Sequence, residues 1–281
     1  MDELAAKQVL LDFELITLIA LAVGVSFYAL LRRVRRHEPS LEPDDYDMFD
    51  LVLMFFPAIL FLMNPIIEAV TAASGNAKPV EPPKNDIFSA FVNIGYFAFV
   101  GIMTCGIIEW IRNRRVVDLF GLRELSLPKI LVISILGGVA SMLICAWAVG
   151  EFSTSYLEGI FGELEVQEPV KMFQESSSIV HLSLTILMAC VAAPVVEELL
   201  FRGYMYGTLR RLTNPVFAAV IIGGLFAVVH GNLPALLPLW VFSILLCLAY
   251  EMTRCLWVPV GMHVFFNGAN IVLMLMPESA K

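Results

Sequence analysis

The sequence predicts an all-α fold, a polytopic integral membrane bundle of about eight transmembrane helices. Hydrophobic residues make up 59% of the 281 residues and charged residues 16%, whereas soluble proteins are about 45–50% apolar and 25% charged. The apolar residues form long uninterrupted runs rather than the alternating pattern of a β-barrel. Because a helix satisfies its own backbone hydrogen bonds in lipid, such runs indicate membrane-spanning helices.

Eight apolar runs of about 17–25 residues mark the expected spans. They lie near 13–31, 50–73, 87–111, 129–149, 178–200, 214–230, 234–250 and 255–276. We expect the fifth run to continue to about residue 212 as one long, kinked helix.

The chain divides into three parts by composition. Residues 1–150 hold about four N-terminal transmembrane helices of unassigned role. Residues 151–177 form an acidic extramembrane loop, either plain or with a short amphipathic helix. Residues 178–281 hold about four helices and every candidate site residue discussed below.

The basic residues predict the orientation of the bundle. They fall on one side of the expected spans if both termini lie outside the cell, and the positive-inside rule makes that side cytoplasmic. The residues concerned are Arg32, Arg33, Arg35, Arg36, Arg112, Arg114, Arg115, Arg123, Lys129, Arg210, Arg211 and Arg254. We therefore predict a multi-pass protein with both termini outside, and we expect its location to be a bacterial inner membrane.

Ionisable groups inside spans are candidates for function, since each disfavours insertion by about 2.5–3.5 kcal/mol. They concentrate in the C-terminal third of the chain, together with one amide. The set is Glu197, Glu198, Arg202, His230, His263 and Asn267.

The adjacent residues Glu197 and Glu198 are expected to have different roles. Glu198 stands four residues before Arg202, so the two share a helix face and can form a buried ion bridge that supports the structure. Glu197 points about 100° away from Glu198. Burial without a close cation disfavours its charged form, which suits a general base or acid.

The two histidines and the asparagine complete a possible reaction centre. His263 and Asn267 have i, i+4 spacing and share a face of the last span, while His230 ends the run Phe226-Ala-Val-Val-His230. Each alone could simply hydrogen-bond a neighbouring helix. With Glu197 they offer a base, a second titratable group and neutral donors for an oxyanion, the parts needed for acyl hydrolysis by water.

Three segments together resemble the signature of a known family. Glu-Glu-x-x-x-Arg (197–202), Phe-x-x-x-His (226–230) and His-x-x-x-Asn (263–267) resemble the motifs of the CPBP intramembrane proteases. That family includes the eukaryotic CAAX prenyl endopeptidases and bacterial bacteriocin-immunity relatives.

The resemblance implies an intramembrane glutamic endopeptidase that hydrolyses a membrane-proximal peptide bond. It implies that Glu197 activates water with help from His230, and that His263 and Asn267 form the oxyanion hole. It also implies that Glu198 and Arg202 support the site. The expected partners are a membrane-associated protein or peptide substrate and the lipid bilayer, with no nucleic acid; whether the substrate is lipidated stays open.

Alternatives remain open at this point. Two histidines and a glutamate could bind zinc, although neither histidine has the His-Glu-x-x-His spacing, so we predict no cofactor and no metal. A catalytically silent membrane scaffold or immunity protein could retain the same residues for packing. A proton-coupled transporter would spread titratable groups along a path across the bilayer, whereas here they form one cluster.

The catalytic grouping makes a geometric demand. For Glu197 and His230 to meet, the fifth helix must be long, or the sixth must begin deep in the membrane or tilt strongly. A structure with the two residues in separate leaflets would contradict the grouping.

Overall fold

The described part of the chain is helical throughout. The computed structural model describes residues 46–63, 87–150 and 179–275, and within these ranges it contains helices and no strand. Five of the helices are long and apolar enough to cross a membrane. The predicted polytopic helical membrane bundle is thereby confirmed. The expected span 13–31, the second part of 50–73 and the loop 151–177 lie outside the described residues.

In chain order the helices of the described residues are α1 (Met48–Met63), α2 (Ile87–Ile111), α3 (Val116–Leu119), α4 (Leu127–Cys145), α5 (Ile179–Leu212), α6 (Pro215–Val228), α7 (Leu233–Thr253) and α8 (Trp257–Leu275).

Helix α5 runs for 34 residues without a break, as the sequence predicted. At 1.5 Å per residue it is about 51 Å long, well above the roughly 30 Å of a hydrocarbon core. Two π-helical segments, Met188–Ala192 and Leu199–Tyr206, interrupt its α-helical geometry. Such wider turns are frequent at functional sites. Glu197 and Glu198 lie between them, near the middle of the helix.

Helix α6 is shorter than the sequence suggested. The side chain of Asn214 caps its start by accepting a hydrogen bond from the backbone N–H of Phe217 at 2.9 Å, and Pro215 opens the first turn. The helix has 14 residues and so rises only about 21 Å. It is therefore shorter than the roughly 30 Å of a hydrocarbon core. A second asparagine cap, Asn232 on Ala235 at 2.8 Å, starts α7.

This length determines where His230 lies. From the tight connection at residues 213–214, α5 leads back to Glu197 over about the same distance that α6 rises to its end. His230 follows that end by two residues. The short α6 and the long α5 thus bring Glu197 and His230 to a similar depth.

The basic ends of the helices lie together. Arg112, just after α2, pairs with Asp50 at 2.9 Å, and Arg210 of α5 pairs with Glu251 of α7 at 2.6 Å. The backbone of Gly121, at φ +60°, lies against the carbonyl of Arg254. Arg112, Arg210 and Arg254 of the described residues therefore lie at one end of the bundle, and the side of the membrane that this end faces stays a prediction.

Candidate active site

Glu197 is buried but makes no hydrogen bond to the described residues. It is 8% exposed, and its Oε2 lies 3.8 Å from Nε2 of His263. That distance exceeds a direct hydrogen bond. The carboxylate is therefore held in a low-dielectric setting with its lone pairs available to a reactant.

Glu198 and Arg202 form the predicted ion bridge. Both side chains are fully buried, and Nη1 of Arg202 donates to Oε1 of Glu198 at 2.8 Å. Nη2 of Arg202 donates to Oγ of Ser243 on α7 at 2.7 Å, and the guanidinium carbon lies 4.4 Å from the ring centre of Phe226. Sequence reasoning missed Ser243, although a hydroxyl inside an apolar span is a signal of interhelical bonding.

His263 also contacts Glu198, which the sequence linked only to Arg202. Its Nδ1 lies 2.8 Å from Oε1 of Glu198. We assign the hydrogen to Nδ1, because a carboxylate ionised beside Arg202 can only accept. Phe226 and Phe242 pack edge-on against the ring, with centroids 5.7 and 5.3 Å away. The imidazole is thus fixed with Nε2 directed to Glu197.

His230 lies on the other side of Phe226. Its Nδ1 is 2.7 Å from the carbonyl oxygen of Phe226, so Nδ1 carries the hydrogen and Nε2 of the neutral ring can accept. The ring centre is 4.7 Å from that of Phe226. The ring of Phe226 packs against both His230 and His263, and His263 lies beside Glu197. The arrangement with Glu197 and His230 in separate leaflets is therefore not observed.

Asn267 bonds to an earlier part of α5. Its amide Nδ2 donates to the carbonyl oxygen of Ala189 at 2.8 Å, inside the first π-helical segment of α5. Ala189 precedes Glu197 by about two helical turns. An amide nitrogen has two hydrogens, so one donor of Asn267 is engaged and a second remains.

The described residues offer no obvious metal site. Within ranges 46–63, 87–150 and 179–275, no group of three His, Cys, Asp or Glu side chains is arranged to hold a metal ion. Nδ1 of His263 is already bonded to Glu198. Metal independence of the reaction stays a prediction.

Comparison with known proteins bears directly on the segment that contains these residues. Residues 179–269 match the family model described as type II CAAX prenyl endopeptidase Rce1-like. The chain is 28% identical over 138 residues to a Bacillus subtilis (strain 168) protein provisionally named as membrane peptidase YdiL, covering 47% of this chain and 57% of that protein. It is 26% identical over 103 residues to the membrane-embedded CAAX protease MroQ of Staphylococcus aureus (strain USA300), covering 34% and 42%.

These matches are partial in extent. The chain spans about half the length of the curated relatives that it matches. No solved structure matches it. The family match includes all six candidate site residues, from Glu197 to Asn267. The resemblance drawn from the sequence is confirmed: residues 179–269 are similar to the Rce1-like CAAX prenyl endopeptidases.

Proposed function

We propose that this protein is an intramembrane endopeptidase in which Glu197 activates water. The observation that carries the proposal is the state of Glu197, a buried carboxylate without a hydrogen bond among the described residues, facing Nε2 of His263 at 3.8 Å. A general base needs a free lone pair within reach of the water that attacks the bond to be cut. The match of residues 179–269 to a CAAX-type endopeptidase family model supports the same reaction class.

The reaction follows from the donors and acceptors. Glu197 takes a proton from water as the water oxygen bonds to the scissile carbonyl carbon, and the C=O π electrons move onto the carbonyl oxygen. Nε2 of His230, free to accept because Nδ1 donates to Phe226, orients the same water. When the oxyanion re-forms C=O, the C–N bond breaks and Glu197 returns its proton to the leaving amine.

His263 and Asn267 are proposed as donors to the developing oxyanion. Preorganised donors of this kind are worth about 2.7–4 kcal/mol each when they are aimed at the charge that forms. Asn267 has a second amide hydrogen beyond the one given to Ala189,. Arg202 and Glu198 hold His263 in place and do not touch the reacting atoms.

The proposed substrate is a membrane-associated protein or peptide cut close to the bilayer. A CAAX-type substrate carries a lipid on a cysteine near its C-terminus, and the names of the family and of the staphylococcal relative point to that class. Processing of an unlipidated bacterial peptide is the second substrate class to test. Paired peptides with and without a prenyl group distinguish the two.

The deciding experiment compares wild type with Glu197→Gln in liposomes, using a peptide library and a chelator arm. We expect the variant to lose at least about 100-fold in turnover, because the amide cannot take up the proton. Glu109→Gln is the matched control, since Glu109 is an exposed carboxylate on α2 and should retain activity.

Three results would contradict the proposal. Hydrolysis retained by Glu197→Gln would remove Glu197 from its role. Wild-type activity that disappears with chelator and returns with zinc would support the metal alternative. The absence of any hydrolysis by wild type across the library would support the scaffold or immunity alternative.

A further inference from the structure

The proposed function leaves one proton unaccounted for. His263 is expected to donate to an oxyanion, yet its Nδ1–H is already given to Glu198 at 2.8 Å. In a neutral imidazole the other nitrogen has no hydrogen. A neutral His263 in the observed orientation therefore has no donor left for the substrate, and the sequence expectation of a neutral donor does not fit the geometry.

The charges around the ring indicate where a second proton would be held. Glu198 and Glu197 lie 2.8 and 3.8 Å from the two ring nitrogens, and Arg202 balances only one of these carboxylates. With both glutamates ionised and His263 neutral, the buried group has one net negative charge, which is strongly disfavoured in a low-dielectric interior. One additional proton makes it neutral.

Few groups can accept that proton. Helix α5 contributes Glu197, Glu198 and Arg202, α8 contributes His263, and the turn after α6 contributes His230. Cys247 of α7 also faces Glu198 and Arg202, but an ordinary thiol is uncharged at neutral pH. Oε1 of Glu198 already accepts from Arg202 and His263, and no described residue lies within hydrogen-bond reach of its buried Oε2, so a proton on Oε2 would have no acceptor. The choice is therefore between Glu197, His230 and His263.

The contacts favour His263. His263 is 2% exposed and its ring lies between two carboxylates, whereas His230 donates to a neutral carbonyl and has one carboxylate, Glu197, near it. A proton on Glu197 would block the base that the proposed function requires. We infer that His263 works as an imidazolium, with its second proton on Nε2 beside Glu197, and that Glu198 is the positioning residue that fixes it.

This inference rests on the proposed function and assigns Glu198 a role beyond the ion bridge. Glu198 acts through His263 on the oxyanion. Arg202 bonds Glu198, and Ser243 and Phe226 hold the Arg202 guanidinium in place. Neutralising Glu198 removes one negative charge, so the group is then neutral without the proton on Nε2. Neutralising Glu197 has the same effect on the charge balance.

The test is nitrogen-15 NMR of the histidine rings in lipid nanodiscs. The chain has four histidines, so His263→Ala identifies the signal of interest. In wild type we expect both ring nitrogens of His263 to be protonated. In Glu198→Gln and in Glu197→Gln we expect a neutral ring with its hydrogen on Nδ1. Two variants are used so that misfolding of either one leaves a result.

The matched control is Glu251→Gln. Glu251 is also a buried carboxylate that contacts α5, through Tyr206 and Arg210, but it does not touch His263. The His263 signal should be unchanged in this variant. In turnover assays Glu198→Gln should lower kcat by about 100-fold with little change in KM, since the lost donor acts on the transition state.

The outcomes separate this inference from the proposed function. A neutral His263 ring in wild type overturns the inference, even if Glu197→Gln abolishes hydrolysis. A doubly protonated ring in wild type that becomes neutral in the variants supports it, even if wild type hydrolyses nothing. A ring that stays doubly protonated in both variants also overturns it, because the two carboxylates would not be what holds the proton.

Discussion

Tyr204 donates a hydrogen bond to Asp50, with 3.1 Å between the phenol oxygen and Oδ1. This bond joins α1 to the second π-helical segment of α5, two residues after Arg202. The same Oδ1 accepts from Nε of Arg112 at 2.9 Å. Two N-terminal helices without a role assigned from the sequence, α1 and α2, are thus linked to the helix that carries Glu197 and Glu198.

Asp50→Asn should destabilise the protein strongly. Asp50 is 2% exposed, and breaking a buried ion pair leaves Arg112 with a weaker partner. We expect the free energy of unfolding to fall by about 2–4 kcal/mol, measured by denaturant titration in mild detergent. Asp118→Asn is the control, because its pair with Arg115 at 3.4 Å is exposed on both sides and should contribute at most about 1 kcal/mol. An equal loss of unfolding free energy in the two variants would contradict a stabilising role of Asp50 between α1, α2 and α5.

Gly203→Ala should disturb the packing beside Arg202. A Cβ at this position would lie 2.8 Å from Cζ of Phe120, closer than carbon atoms can approach. We expect a loss of about 1–3 kcal/mol, seen as a lower thermal midpoint, and recovery in the double variant with Phe120→Leu. Gly95→Ala on α2 is the control, since nothing lies within 4 Å of its Cβ position. A thermal midpoint unchanged by Gly203→Ala would show that Phe120, which directly follows α3, can move aside without loss of stability.

Arg202→Lys should reduce both stability and turnover, despite conserving the charge. The guanidinium bonds Glu198 and Ser243 at once and lies over Phe226. A lysine ammonium is a single point that cannot reproduce this fork. We expect a loss of about 2–4 kcal/mol by denaturant titration, together with slower hydrolysis. Arg123→Lys, at an exposed position, should match wild type, and an Arg202→Lys protein as stable as wild type would contradict the need for two bonds.

Asn267→Ala should lower kcat by about 100–1000-fold if its remaining amide hydrogen serves the oxyanion. Asn270→Ala is a close control on the same helix, because its amide donates to the carbonyl of Phe266 in the preceding turn. Steady-state kinetics on the same peptide measures both variants. Equal activity in the two would leave Asn267 only its contact with Ala189.

Local features of the structure could be predicted from the sequence. The ion bridge between Glu198 and Arg202 follows from i, i+4 spacing, which is fixed by the helix itself. The length of α5 followed from an apolar run that continues to the basic pair before residue 213. Both depend on neighbours within one segment.

Contacts between segments could not be predicted in the same way. Glu198 and His263 are 65 residues apart, and their meeting depends on how α5, α6 and α8 pack. The apolar run 214–230 is only a few residues longer than α6, and Gly231 at φ +59° follows it directly, but the sequence left open whether a helix of this length crosses the membrane. Nothing in the sequence around Ser243 indicated that its hydroxyl would accept a hydrogen bond from Arg202.

The early end of α6 has a consequence for the solvent. A helix of about 21 Å is shorter than a hydrocarbon core of roughly 30 Å, and a turn inside such a core is tolerated only where the backbone is sheltered by protein or lines a wet cavity. The proposed hydrolysis consumes water, and lipid tails supply none. Under that proposal we expect water to reach the site at the turn of residues 229–232, so that the hydration of this turn matters to the rate together with the strength of the base.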